Sequence, residues 1–237
     1  VSIEGNIGSG KSTLLQNLMN SYKENSCVIF LKEPVDDWEK IKDSNGDTML
    51  KKFYSDQKTY SFAFQMMAYI SRLKILRDVI NKTKAHPEKK FIIITERSLF
   101  TDKYVFAQML HDQGSIEDVC YQIYLSWFDE FSKDFPINKT IYVKTNPETC
   151  HERISKRARS GEDVIPLDYL KDCHTYHEYF LDEAKGITTN KLVLDGNTDI
   201  YKDDITLVTW IKQITNYIHE YFVINLENKI DHDRIVI

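Results

Sequence analysis

Residues 5–12 read GNIGSGKS, the pattern GxxxxGK[ST], with the apolar run VSIE before them and the amphipathic run TLLQNLMNSY after. Such a loop works only at the junction of a strand and a helix. Gly5 and Gly10 allow backbone conformations that a side chain would block. The backbone of Gly5, Asn6, Ile7, Gly8, Ser9, Gly10, Lys11, Ser12 and Thr13 can then turn its N–H groups onto phosphate oxygens at a helix N-terminus. Lys11 is expected to reach the β- and γ-phosphates and the Ser12 hydroxyl to ligate Mg²⁺. The chain is thereby committed to a β-loop-α unit and to a nucleoside triphosphate such as ATP. Kinases, GTPases and motor ATPases all remain open on this feature alone.

The rest of the pattern extends that unit. Short β-branched or apolar runs at Val1–Glu4, Val28–Lys32, Phe91–Thr95, Thr140–Lys144 and Lys191–Leu194 alternate with helical periodicity at about 11–24, 48–84, 101–113, 116–132, 147–159, 166–185 and 201–222. This alternation predicts an α/β fold with a five-stranded parallel sheet flanked by helices and buried on both faces. With 237 residues, 42% of them hydrophobic, and no low-complexity linker, a single domain over 1–237 is expected. The polar segment 35–47 with its Asn-Gly pair reads as a surface loop, and the tail 223–237 carries no assignable role.

Composition excludes several partners. The net charge is -5 and the pI about 5.8, so no global positive field would hold a nucleic acid, and phosphate binding must be local. The cysteines Cys27, Cys120, Cys150 and Cys173 form no CxxC pair, against a zinc or redox site and in keeping with reduced thiols inside a cell. No apolar run approaches the ~20 residues of a membrane span, and no leader precedes Val1. A cytoplasmic protein is expected. Because the chain opens inside a strand pattern without methionine, residues before Val1 are expected to be missing, and a mitochondrial address stays open.

Three later segments point to an acceptor. Glu33, in EPVDDW after the second strand, stands where strand ends of open α/β sheets meet the ligand crevice, and its carboxylate could take a proton from an attacking hydroxyl. Read alone, it is also what a surface Glu before a proline turn looks like. Glu96-Arg97 follows the apolar run FIIIT; Glu96 could support Mg²⁺ and Arg97 could bind phosphate or orient Glu33, unless the two merely form a structural ion pair. On the helix YSFAFQMMAYISR, Gln65, Ala68 and Arg72 share one face at i, i+3 and i+7, offering an amide, space and a planar donor fork to a base. Asp102 could anchor Arg72 or accept a base amino group, and Phe106, one turn later, could contact the ring. By spacing alone, such an aromatic stripe reads more often as core.

Taken in order, IEGNIGSGKST, EPVDDW, YSFAFQMMAYISRLK, ITERSLFTDKYVFA and RISKRARSGEDVIPLDYL resemble the deoxynucleoside kinase family, over most of the chain to about residue 180. The resemblance implies a P-loop kinase fold with an arginine-rich lid at about 153–165, where Arg153, Arg157 and Arg159 concentrate positive charge on a transferring phosphoryl. It makes Glu33 the general base for a 5′-hydroxyl, with Arg97 beside it and Glu96 supporting Mg²⁺. It further implies that Gln65 pairs with the base, that Phe64 and Phe106 flank the ring, that Tyr54 and Glu162 hold the 3′-hydroxyl, and that Trp38, Leu50 and Phe53 line the pocket. A homodimer through the helices around 60–84 and 101–132 is implied as well.

Arg72 and Asp102 resemble the deoxycytidine and deoxyguanosine kinase branch, whereas thymidine-preferring members lack them. Thymine's methyl would crowd that pair, so deoxypurines or deoxycytidine are expected as substrates over thymidine. Tyr60 stands where several members carry tryptophan, which affects the packing of the pocket wall. The expected reaction is in-line transfer of the γ-phosphoryl of ATP to a deoxynucleoside 5′-hydroxyl. The nearest rival is a nucleoside-monophosphate kinase of the thymidylate type, disfavoured because Glu33 would repel an incoming phosphate. A nucleotide-dependent switch is more distant, since no NKxD-type guanine motif is present.

Overall fold

A computed structural model describes residues 1–157, 165–182, 191–200 and 203–227, the side chains of Asp204 and of residues 221–227 excepted. In chain order the elements are β1 (Ser2–Glu4), α1 (Lys11–Ser21), β2 (Val28–Leu31), α2 (Val35–Trp38), α3 (Met49–Ser55), α4 (Gln57–Lys84), β3 (Ile92–Glu96), α5 (Leu99–Thr101), α6 (Gln108–Asp112), α7 (Asp118–Phe131), β4 (Thr140–Lys144), α8 (Pro147–Arg157), α9 (Leu167–Phe180), β5 (Lys191–Asp195) and α10 (Asp204–Glu227). A π-helical stretch, Asp102–Ala107, joins α5 to α6.

All five strands are parallel, in the order β2-β3-β1-β4-β5, as the alternation predicts. One face of the sheet is sealed by Leu14, Leu15 and Leu18 of α1 and Trp210, Ile214 and Ile218 of α10, packed on Ile3, Ile94, Ile141 and Val143. On the other, Ile93 joins a larger cluster built from α4, α7, α8 and α9, with Tyr69, Leu76, Phe128 and Leu170 inside it. A sheet covered twice needs apolar residues on both sides of each strand, which is why β3 reads IIIT without alternation. The chain runs from β1 to β2 on one side of the sheet and later reaches β4 on the other. β1 is therefore the switch point, and the loop leaving its carboxyl end opens into the crevice between β3 and β4.

Four predicted boundaries are corrected. The helix expected over 48–84 is two helices, because Asp56 leaves helical geometry (φ -150°, ψ 80°) and its carboxylate caps α4 by accepting from Thr59 N at 3.1 Å, while Thr48 caps α3. Segment 35–47 is not wholly loop: Val35–Trp38 forms a helical turn with Val35 and Trp38 buried, and only then does Asp43 close the Asn-Gly turn by accepting from Asn45 N and Asp47 N. The helix expected over 101–113 begins at Leu99 under a Ser98 cap and widens to the π form at Asp102. Helix α10 extends five residues beyond the predicted end at 222, into the segment left without a role; the tail after 227 lies outside the described residues.

Candidate active site

The phosphate loop keeps its shape through three left-handed glycines, with φ of 146° at Gly5, 77° at Gly8 and 100° at Gly10. Space is as restrictive as torsion. A Cβ on Gly8 would lie 2.6 Å from the Cys150 carbonyl of α8, so the loop sits directly against that helix. Lys11 is buried, and its ammonium donates to the Asn6 carbonyl at 2.7 Å. Burial, and then the Arg97 charge, push its pKa down to about 7 against the pull of Glu96 and Glu33. A cation so desolvated is completed by an anion, which is what a bound triphosphate brings. The Ser12 hydroxyl donates to Glu96 Oε1 at 2.5 Å, which joins the start of α1 to the end of β3.

Across the crevice, Glu33 Oε1 accepts from Arg72 Nη2 at 3.0 Å and from Arg97 Nε at 3.2 Å. Burial raises the Glu33 carboxyl, but Arg97, Arg72 and Lys11 outweigh it and hold the group at about 2. Arg72 is committed further: Nε donates to Asp102 Oδ2 at 2.9 Å and Nη1 to the Glu96 carbonyl at 2.7 Å. The donor fork predicted to face a base is thus turned onto Glu33, Asp102 and the β3 terminus. Arg97 is the sole non-glycine residue with positive φ (64°) among the described residues. Its N–H bonds the Ile3 carbonyl at 2.9 Å and its Nη1 the Gly5 carbonyl at 2.8 Å, so pairing on both sides holds a conformation that L-residues rarely adopt. Phe106, expected against a base, lines the cavity and also carries the Arg97 guanidinium 4.9 Å above its ring.

These residues line one cavity of about 770 Å³ that runs from the phosphate loop to the aromatic wall. At the acceptor end Phe53 and Phe64 stack at 4.5 Å, Trp38 meets Phe64 edge-on at 5.7 Å, and Leu50, Tyr54, Gln65 and Ala68 complete the wall. Trp38 is fixed by its Nε1–H donating to Ser71 Oγ at 2.9 Å. At the donor end Arg153 and Arg157 reach the cavity from α8. Arg153, expected to lie over the phosphoryl, donates to the carbonyls of Gly196 at 2.7 Å, Thr198 at 3.3 Å and Ser9 at 3.4 Å, and so joins the phosphate loop to the turn after β5. Arg159, Glu162 and the lid between 158 and 164 lie outside the described residues.

Sequence reasoning passed over several lining residues. Tyr169 packs edge-on to Phe53 and Tyr54, while Asn197, Thr198 and Trp210 border the donor end. The usable signal for the loop 196–198 was its place at the carboxyl end of a parallel strand. Also missed was Glu4, fully buried beneath the loop, whose Oε2 accepts a short hydrogen bond from the Thr101 hydroxyl, one residue before Asp102.

A triphosphate loop and a carboxylate held by two arginines, facing each other across one cavity, define a P-loop phosphotransferase for a small acceptor. Residues 1–219 match the family model described as deoxynucleoside kinase. The chain is 35% identical over 228 residues to the "Probable deoxycytidine kinase" of fowlpox virus (strain NVSL), covering 94% of this chain and 89% of the viral one. It is 33% identical to the mitochondrial deoxyguanosine kinase of Xenopus laevis, over 76% of this chain and 72% of the relative. Against human mitochondrial thymidine kinase 2 the identity is 32%, over 76% of this chain and 63% of that protein. The chain belongs to the deoxynucleoside kinase family, ATP-dependent phosphotransferases that act on deoxynucleosides. No helix among the described residues is long and apolar enough to cross a membrane.

Proposed function

We propose that this kinase prefers deoxycytidine or deoxypurines to thymidine, and the observation that supports this reading is the buried Arg72–Asp102 pair beside Gln65. A carboxylate at that depth accepts a base amino group, with Gln65 offering a complementary amide. Thymine would bring a carbonyl toward the carboxylate and a methyl group into a packed wall. The test is kcat/KM for the four deoxynucleosides with ATP. Thymidine should be the poorest; thymidine turning over faster than deoxyadenosine, deoxyguanosine and deoxycytidine would overturn the preference.

In the proposed reaction Lys11 and the α8 arginines neutralise the transferring phosphoryl while Glu33 takes the proton of the 5′-hydroxyl. A carboxylate held near 2 in the free enzyme is a weak base, which suits a loose transition state in which the proton leaves late. The Ser12 hydroxyl and Glu96 carboxylate form a pair of hard oxygens that would hold Mg²⁺, which would supply positive charge against the phosphates. Tyr54, with Glu162, is assigned to the 3′-hydroxyl. We assign the whole chain 1–237 to one domain and, on its four free cysteines, to the cytoplasm, with the mitochondrion as the alternative. The homodimer reading is supported by Val119, Ile123 and Trp127, spaced i, i+4 and i+8 on α7 and 59%, 43% and 48% exposed, next to Ile70 of α4 at 42%.

A further inference from the structure

The Asn6 side chain is given no part in the phosphate chemistry, yet its amide is satisfied at both ends inside the protein. Its side chain is buried. Oδ1 accepts from Ile7 N at 2.8 Å, which fixes the loop locally, and Nδ2 donates to the Leu170 carbonyl at 2.8 Å, across 164 positions of sequence. Leu170 lies in the first turns of α9, and α9 packs along α8, with Ile154, Ile165 and Leu170 in one cluster. The Asn6 backbone carbonyl accepts from the Lys11 ammonium at 2.7 Å and closes the turn by accepting from Ser9 N at 3.2 Å. The same pair of helices touches the loop a second time, where the Cys150 carbonyl abuts Gly8. Arg153 reaches the Ser9 carbonyl from α8 at 3.4 Å.

We infer that the Asn6–Leu170 hydrogen bond is a positioning device that locks the phosphate loop to the α8–α9 pair, so that Lys11 and the α8 arginines converge on one triphosphate. The loop itself carries the backbone N–H groups, Lys11 and Ser12. Here the arginines stand on a different element, and their aim relative to Lys11 depends on how the loop is docked against it. The inference rests on the kinase reading for its consequence in turnover, but not for its consequence in ATP affinity.

Two substitutions separate the long bond from the local one. Asn6→Asp keeps an oxygen for the Ile7 N–H but turns a carboxylate toward the Leu170 carbonyl; Asn6→Ala removes both bonds. The measurements on the full chain are ATP affinity by calorimetry without acceptor, KM for ATP and for deoxycytidine, and the thermal melt. Asn6→Asp should lose about tenfold in ATP affinity, the scale of one buried hydrogen bond, and Asn6→Ala at least as much, with KM for ATP raised in step. KM for deoxycytidine should stay within about twofold, because the acceptor wall has no contact with Asn6. Asn6→Asp with wild-type ATP affinity would overturn the inference, since the Ile7 bond alone would then suffice. Parallel loss for both substrates, or failure of both variants to fold, would overturn it too, by making Asn6 a residue of the fold and not of the donor site. A wild-type chain that binds ATP but phosphorylates no deoxynucleoside would instead count against the kinase reading, leaving the affinity comparison intact.

Discussion

Replacing Glu33 by glutamine removes one negative charge and little volume from between two guanidinium groups at 3.0 and 3.2 Å. Two effects follow, on different scales. The first is chemical. General-base catalysis contributes about 10²–10⁴-fold, and a carboxylate held near 2 is weak, so the expected loss in kcat sits near the lower figure, about 10²-fold. The second is stability. A carboxyl lowered from an ordinary 4.5 to about 2 corresponds to about 3 kcal/mol favouring the folded state at neutral pH. Since the folded value is depressed, that contribution is complete above about 4.5 and is lost as pH falls toward 2. Glu33→Gln should therefore melt lower at pH 7, by roughly 6–12 °C for a chain of this size, and the gap should close through the acid range. Phosphorylation of deoxycytidine under saturating ATP reads the first effect and thermal melts from pH 7 downward read the second. Turnover within threefold of wild type would remove Glu33 from the proton step, and a gap independent of pH would remove the electrostatic account of its burial.

Arg72→Met and Asp102→Ala each leave a buried partner unpaired and should cost about 3–5 kcal/mol alone, with the double variant well short of the sum; additive losses in denaturant melts would show the pair to be uncoupled. Ile123→Asp places a charge at the centre of the exposed α7 stripe and should yield monomers in sedimentation while keeping the melt within about 1 kcal/mol. An unchanged oligomeric state would move the self-association surface elsewhere.

How much of this was readable in advance differs by element. The phosphate loop and the sheet were plain, because glycine spacing and apolar runs are local properties. Glu33, Glu96 and Arg97 were legible as crevice residues because parallel strands end there, whatever their partners. What local pattern could not convey was direction. Arg72 shares a helix face with Gln65, yet its fork is consumed by Glu33, Asp102 and the Glu96 carbonyl, groups brought together only by the sheet order. Phe106 lines the cavity, but its place on a π-helical stretch that starts at Asp102 and the Arg97 guanidinium over its ring are features that periodicity does not announce. The break at Asp56 was hidden because the apolar periodicity continues across it, and only the capping bond to Thr59 reveals it. Asn6 was read for its backbone N–H alone, since the partner of its side chain, Leu170, is remote in sequence.

The account requires an acceptor site built for a neutral hydroxyl. Glu33 stands at its head, and Arg72 and Arg97, the arginines nearest it, are turned onto Glu33, Asp102 and backbone carbonyls. The direct test offers deoxycytidine and dTMP separately with ATP and compares kcat/KM. Deoxycytidine should be phosphorylated and dTMP essentially untouched, a difference of at least about 10³-fold for a buried like-charge encounter. Preferential phosphorylation of dTMP would contradict the account at its centre.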